Sequence, residues 1–135
     1  MFLLDTNVIS ELRRARPHGS VVAWLSQQVD ANLHICAYTI GELQAGVEAT
    51  RQRDPERATW LEQWIDSVPA QFHVLPIDAP TFRIWGRLMH KRPAALQGDA
   101  IIAATAERHG LTVVTRNVRN FEALGAAILN PFDMK

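Results

Sequence analysis

Three acidic residues stand at the places where a chain delivers chemistry. Asp5 ends the apolar run Met1–Asp5, Glu42 lies just beyond the run Leu33–Ala37, and Asp99 opens an alanine- and isoleucine-rich stretch that stops at Gly110. Asn117 follows a further run, Leu111–Thr115. Singly, each acid has a structural reading. Asp5 caps a first helix; Thr39 and Glu42 form a capping box; Asp99 is a first-turn acid favoured by the helix dipole. Gathered at one place, they would do something else. At about 5 Å and an effective dielectric near 20, each carboxylate pair repels by roughly 3 kcal/mol, and three pairs total about 10 kcal/mol, comparable to the stability of a domain. Caps worth about 1 kcal/mol each do not offset that. Such a set needs separation, a proton or a cation, and hard oxygen donors select Mg2+ or Mn2+ over zinc.

The elements that would carry these residues alternate. Met1–Asp5 reads as a buried strand feeding a short helix, Val8–Arg14, which Pro17 and Gly19 break. Ser20 is placed to cap a second helix with Val21, Val22, Trp24, Leu25 and Val29 apolar. Leu33–Ala37 is a second strand, followed by a helix entered at Thr39 and running to about Arg53. Asp54-Pro55 opens a helix over Glu56–Val68, with Trp60, Leu61, Trp64, Ile65 and Val68 at helical spacing. Phe72–Ile77 holds a third strand, and Asp78 with Pro80 begins a helix to about Lys91. Gly98-Asp99 opens a helix through Arg108 with Gly110 as its stop. Leu111–Thr115 is a fourth strand, Arg116–Asn120 a loop, Phe121–Leu124 a helical turn and Ala127–Leu129 a fifth strand.

Strands separated by helices imply right-handed crossovers and a mostly parallel sheet covered on both faces, an α/β class protein built as a three-layer α/β/α sandwich. No repeat or linker divides residues 1–135, so one domain is expected. Sheets of this kind bind ligands beyond the carboxyl ends of their strands, which is where Asp5, Glu42 and Asn117 stand. Asp99 reaches the same edge from a helix N-terminus.

Composition narrows the function further. The chain has 135 residues, 47% hydrophobic and 21% charged, and a formal net charge of +0. Strong non-specific attraction to a polyanion is therefore not expected. The bases are 12 Arg against 2 Lys, a bias compatible with bidentate phosphate recognition. No run approaches the roughly 18 apolar residues of a membrane span. The start lacks the charged flank and long apolar run of a secretory signal, which leads us to expect a cytoplasmic protein. The single Cys36 packs in the second strand, and His18, His34, His73, His90 and His109 show no paired ligand spacing, so zinc is not expected. Neither a P-loop nor a dinucleotide fingerprint is present.

Four motifs carry a resemblance. Leu3-Leu4-Asp5-Thr6-Asn7, Thr39-Ile40-Gly41-Glu42-Leu43, Gly98-Asp99-Ala100-Ile101-Ile102-Ala103-Ala104-Thr105-Ala106 and Thr115-Arg116-Asn117 resemble the PIN-domain ribonucleases. The likeness is to the VapC-type toxins of toxin–antitoxin pairs, including the FitB-like branch. It extends from Met1 to about Phe132. The resemblance implies a Mg2+- or Mn2+-dependent endoribonuclease. It also implies a homodimer held inactive by a cognate, VapB-like antitoxin whose complex binds operator DNA. By motif position Asp5, Glu42 and Asp99 match the acidic metal ligands, and Thr6 the hydroxyl residue beside them. Many members carry an acid in place of Asn117, so a second metal is in question here, while Asn117 keeps an oxygen able to hold water.

The implied reaction is in-line attack of activated water on a phosphodiester, leaving 5′-phosphate and 3′-hydroxyl ends, with Asn117 and Thr6 hydrogen-bonding water or phosphate. Arg116 and Arg119 flank Asn117 and are candidate phosphate contacts; Arg13, Arg14 and Arg16 are either the same or a solvated helix end. Trp60 and Trp64 read first as core and alternatively as an antitoxin groove; Trp24 and Trp85 read as core or dimer contacts. The competing class is a binding module whose nuclease site is weakened at Asn117 and which acts in a DNA-bound complex. A receiver domain would need a lysine near the site, and Lys91 and Lys135 are unsuitably placed. An Asp-x-Asp phosphatase fails at Asn7.

Overall fold

Short strands and helices alternate through the computed structural model, which describes residues 1–134. Strands β1 (Phe2–Leu4), β2 (Leu33–Cys36), β3 (His73–Leu75), β4 (Thr112–Val114) and β5 (Ile128–Leu129) form a five-stranded sheet in the order β3-β2-β1-β4-β5. Every neighbouring pair is parallel, with Leu3 of β1 opposite His34 on one side and Val113 on the other. The helices are α1 (Thr6–Ile9), α2 (Gly19–Ser26), α3 (Ala37–Arg51), α4 (Pro55–Gln71), α5 (Ala79–Leu88), α6 (Gln97–His109) and α7 (Val118–Ala123).

Alternation along the strands divides the core between the two faces. Leu4, Ile35 and Val114 pack with Val8, Val21, Trp24, Leu43, Val47, Leu61 and Ile65 of α1 to α4. Their strand neighbours Leu3, Cys36 and Val113 pack against Ile101, Ile102, Ala106 and Phe121 of α6 and α7. This is the α/β/α sandwich expected from the sequence. Trp24 is core, 5% exposed, with its ring edge-on to Phe2 at 4.9 Å. The chain leaves β1 toward β2 and β3, then returns past it to β4 and β5, so the topology reverses at β1 and opens a crevice beyond its carboxyl end.

Several boundaries differ from the sequence reading, each for a local reason. The first helix is one turn, followed by a 3-10 turn over Ser10–Arg13, because the buried Glu11 carboxylate takes the His18 amide at 2.9 Å and folds the chain back. Helix α2 starts at Gly19 without a side-chain cap, and the Ser20 hydroxyl instead donates to the Met134 carbonyl at 2.8 Å. Helix α3 starts at Ala37, two residues before Thr39, so no capping box forms and Thr39 and Glu42 are inside the helix. Helix α4 is capped by Asp54 and runs past Val68 to Gln71. Helix α5 stops at Leu88, before Lys91, which adopts a left-handed φ of 59°. The segment read as a loop at 116–120 instead starts helix α7 at Val118, anchored by the fully buried Phe121. Gly110 closes α6 in the left-handed region, φ 66°, as its position suggested.

Candidate functional site

The end of β1 is tied to the end of β4. The Asp5 amide donates to the Val114 carbonyl at 2.9 Å, which leaves the Asp5 side chain at the mouth of the crevice. Its Oδ1 accepts the Thr6 amide at 2.8 Å, and its Oδ2 accepts the Thr115 hydroxyl at 2.8 Å and the Asn7 side-chain amide at 3.2 Å. Thr115 Oγ1 in turn accepts the Asn117 amide at 2.8 Å, and Asn7 Oδ1 accepts the Arg116 amide at 3.3 Å. Asp5 is 5% exposed, and burial, with Asp99 and Glu42 adding to it, pushes its carboxyl from 3.8 to about 6 against the opposing hydrogen bonds of Thr115 and Thr6.

Helices α3 and α6 bring the other two acids. Glu42 Oε1 accepts the Thr6 hydroxyl at 2.6 Å, and the Thr39 hydroxyl lies 3.2 Å from that of Thr6. Asp99, in the first turn of α6, receives two amides on one oxygen: Asn117 Nδ2 at 3.1 Å and Asn120 Nδ2 at 2.9 Å. Thus Asp5, Thr6, Glu42, Asp99 and Asn117 belong to one connected edge, joined through Thr6, Thr115 and the two asparagines. The sequence reading missed Asn120 and Tyr38, and it gave no site role to Asn7 and Thr115 of its motifs or to Thr39, which it read as a helix cap. Asn120 had a readable signal, since it lies one helical turn from Asn117 once α7 is recognised. Tyr38 feels both Glu42 and Asp99; burial and those two charges push its hydroxyl up.

Gly98 fits this arrangement closely. A Cβ there would stand 2.6 Å from the Tyr38 hydroxyl oxygen and 3.0 Å from its ring. Gly98→Ala should therefore displace Tyr38 and destabilise the fold by about 1–3 kcal/mol, read as a lower urea midpoint. An unchanged midpoint would mean that Tyr38 swings aside freely.

The donor set suits a small divalent cation by its chemistry. All three acids offer oxygen, none is in an ion pair among the described residues, and Glu42 Oε2 and Asp99 Oδ1 carry no hydrogen bond there. The three interact electrostatically, yet among the described residues no three His, Cys, Asp or Glu side chains are grouped closely enough to share one ion.

Beside the edge lies a groove of about 310 Å³ between α1, α3 and α4. Thr6 and Glu42 line one part of it, Arg13, Arg53 and Arg57 another, and Val47, Trp64 and Ile65 its apolar wall. Trp60 departs from the core reading: it is 46% exposed, with the Arg57 guanidinium 4.7 Å from its ring. Trp64 is half-buried against the core, as is Trp85, whose indole donates to the Gln97 carbonyl at 3.2 Å. Of the remaining bases, Arg14 pairs with Glu11 at 3.0 Å, Arg16 and Arg119 are exposed, and Arg116 lies over Phe132. Cys36 is buried in β2, its Sγ 3.3 Å from the Thr105 hydroxyl. No helix among the described residues is long and apolar enough to cross a membrane.

The PIN domain family model matches residues 2–126. The VapC ribonuclease Y4jK of Sinorhizobium fredii is 37% identical over 98% of this chain and 99% of its own. The toxin FitB of Neisseria gonorrhoeae is also 37% identical, with the same shares covered. Among solved structures, that of FitAB bound to an IR36 DNA fragment superposes with a TM-score of 0.86 at 34% identity, over 100% of this chain and 98% of the other.

Proposed function

This chain belongs to the PIN-domain family, and from that premise we propose that it is a metal-dependent endoribonuclease, one domain over residues 1–135, acting as the toxin of a toxin–antitoxin pair. The observation that carries the reading is the coupled set Asp5, Glu42 and Asp99, bridged by Thr6 and Asn117 at the reversal of the sheet. The three acids make no ion pair among the described residues, and the neighbouring Asp99 and Glu42 raise the Asp5 carboxyl further, which a divalent cation would relieve.

Asp5 and Asp99 would hold Mg2+ or Mn2+ directly or through water, and Glu42 would share it or orient a water, since the three side chains are not grouped closely enough to ligate one ion together. When bound, the ion supplies Lewis acidity to a phosphate oxygen and lowers the pKa of water. The chain's own residues do the rest. Thr115, Asn7 and the Thr6 amide fix the Asp5 carboxylate; Asn117 and Asn120 fix that of Asp99; Thr6 steers Glu42 and, with Asn117, offers hydrogen bonds to water or phosphate. Burial of Asp5 keeps bulk water from one side of the site. The cut leaves 5′-phosphate and 3′-hydroxyl ends. Arg116 and Arg119 take the RNA backbone beside the cut. Arg119→Ala should lower the slope of log affinity against log salt by about 0.7, the share of one single-strand phosphate contact; an unchanged slope removes Arg119 from the interface.

The partner reading follows the relatives. Y4jK is named a VapC ribonuclease, and the FitAB structure is bound to DNA. By analogy this chain forms a homodimer, is inhibited in the cytoplasm by a VapB-like antitoxin, and joins it on operator DNA. The groove between α3 and α4, apolar at Trp64 and Ile65 and basic at Arg53 and Arg57, is the candidate seat of the antitoxin.

The decisive assay uses free protein and end-labelled RNA. Cleavage with Mg2+ that EDTA abolishes, leaving 5′-phosphate ends, supports the nuclease. One observation favours the binding-module alternative: amides at Asn117 and Asn120 surround Asp99 where further acids would strengthen metal binding. That reading gains if pure protein, loaded with Mg2+ or Mn2+, cuts no RNA while its antitoxin complex binds operator DNA.

A further inference from the structure

We propose that Phe132 is a positioning residue for Arg116, holding the guanidinium by its face so that its N–H edge is presented to an RNA phosphate beside the acidic edge; the phosphate role rests on the nuclease reading above. The Arg116 guanidinium carbon lies 3.8 Å from the centre of the Phe132 ring. That stacking occupies the face of the ion and leaves its in-plane donors unspent. Phe132 itself cannot drift. It is 9% exposed, belongs to the core cluster of Leu4, Val8 and Val114, and receives the His18 ring edge-on at 5.2 Å.

The turn that carries Phe132, Pro131–Asp133, is fixed from several sides. Asn130 Oδ1 accepts the Phe132 amide at 3.0 Å, Asn130 Nδ2 donates to Asp133 at 3.2 Å, and Ser20 holds the Met134 carbonyl. Just before it, β5 pairs with the end of β4, where the Thr115 amide donates to the Leu129 carbonyl at 3.0 Å. The Arg116 amide is held by Asn7, which also donates to Asp5. Both ends of Arg116 are thus anchored, the backbone to the acidic edge and the side chain to Phe132. Glu11 supports the same corner. Burial alone would push its carboxyl up, but the His18 amide and Arg14, with a smaller share from the charge of Arg116, hold it below the ordinary carboxylate value. An arginine already ordered in the free protein loses less freedom on meeting phosphate, an advantage of about fivefold in affinity.

The test is a cycle of Phe132→Leu, Arg116→Ala and the double variant, with Phe132→Trp as the conservative replacement. Binding of a fluorescent single-stranded RNA is measured in EDTA, and kcat and KM with Mg2+. Expected are about fivefold weaker RNA binding and raised KM with kept kcat for Phe132→Leu, no further loss when Phe132→Leu is added to Arg116→Ala, and retention in Phe132→Trp. Losses that multiply in the double variant, or a Phe132→Leu protein that binds as wild type, overturn the proposal. If Phe132→Leu fails to fold, Arg116→Lys takes its place, since an ammonium cannot stack as a plane; equal RNA binding by it refutes the role. Urea unfolding of the same cycle reads the clamp without RNA. A coupling of about fivefold in the unfolding constant is expected, and its absence overturns the clamp. Coupling without any RNA binding by wild type keeps the clamp but overturns the phosphate role and the nuclease reading together.

Discussion

Asp99→Ala protein should cleave RNA at least about a thousandfold more slowly than wild type, a loss equivalent to about 4 kcal/mol of transition-state stabilisation, while remaining folded. The two halves of that expectation have separate causes. Asp99 is half-buried in the first turn of α6, so its removal forfeits only a modest dipole interaction and two amide hydrogen bonds whose donors, Asn117 and Asn120, can turn to water. The packing of α6 rests on Ile101, Ile102 and Ala106, buried residues that the substitution leaves in place. The proposed chemistry, in contrast, loses one of the three acids assigned to the cation. Cleavage rates with saturating Mg2+, alongside thermal unfolding of the same preparation, separate the two. A variant that cuts at wild-type rate, or a wild type indifferent to EDTA, would remove the metal scheme.

The second large effect concerns stability, and its sign depends on pH. In EDTA at about pH 7.5, Asp5→Asn should unfold at higher urea than wild type. Burial first, then the neighbouring acids, raise the Asp5 carboxyl from 3.8 to about 6 in the folded protein, whereas unfolding restores the ordinary value. Between those values the folded state binds more protons than the unfolded state, so wild-type stability falls as pH rises through that window and stays lower above it. A shift of that size corresponds to about 3 kcal/mol. Asparagine removes the charge but turns an amide toward the Asn7 amide and Thr115 hydroxyl, which returns about 1 kcal/mol or more. A net gain of about 1–2 kcal/mol is expected, shrinking to nothing or reversing below about pH 4. Mg2+ should then stabilise wild type at neutral pH, by an amount that grows with its concentration, and leave Asp5→Asn unmoved. Equal urea midpoints at pH 5 and pH 8 in wild type would show that Asp5 carries no such strain.

The residues behind both effects are legible in the amino-acid sequence. An acid at the end of an apolar strand needs no tertiary information to be noticed, because alternation of strands and helices already fixes which ends share an edge. Hence Asp5, Glu42, Asp99 and Asn117 stand out together. Glu42 shows the limit. Its type and position suggested a capping box with Thr39, but α3 begins at Ala37 and both residues sit inside it. Local propensity leaves a helix start uncertain by a turn; burial of Thr39 and its contact with Thr6 across the sheet edge settled it.

What sequence alone determined, then, is the periodic part: apolar strands, their parallel order of succession, the acids at their ends and the glycine stop at Gly110. Only the tertiary structure decided which polar groups meet. That Thr115 and Asn7 hold Asp5, that Asn120 joins Asn117 on Asp99, and that Arg116 lies on Phe132 are contacts between segments far apart in the chain or set by a helix register. Hydrogen bonds and cation–π contacts act over a few ångströms, and one residue of register in a helix or strand decides whether they form.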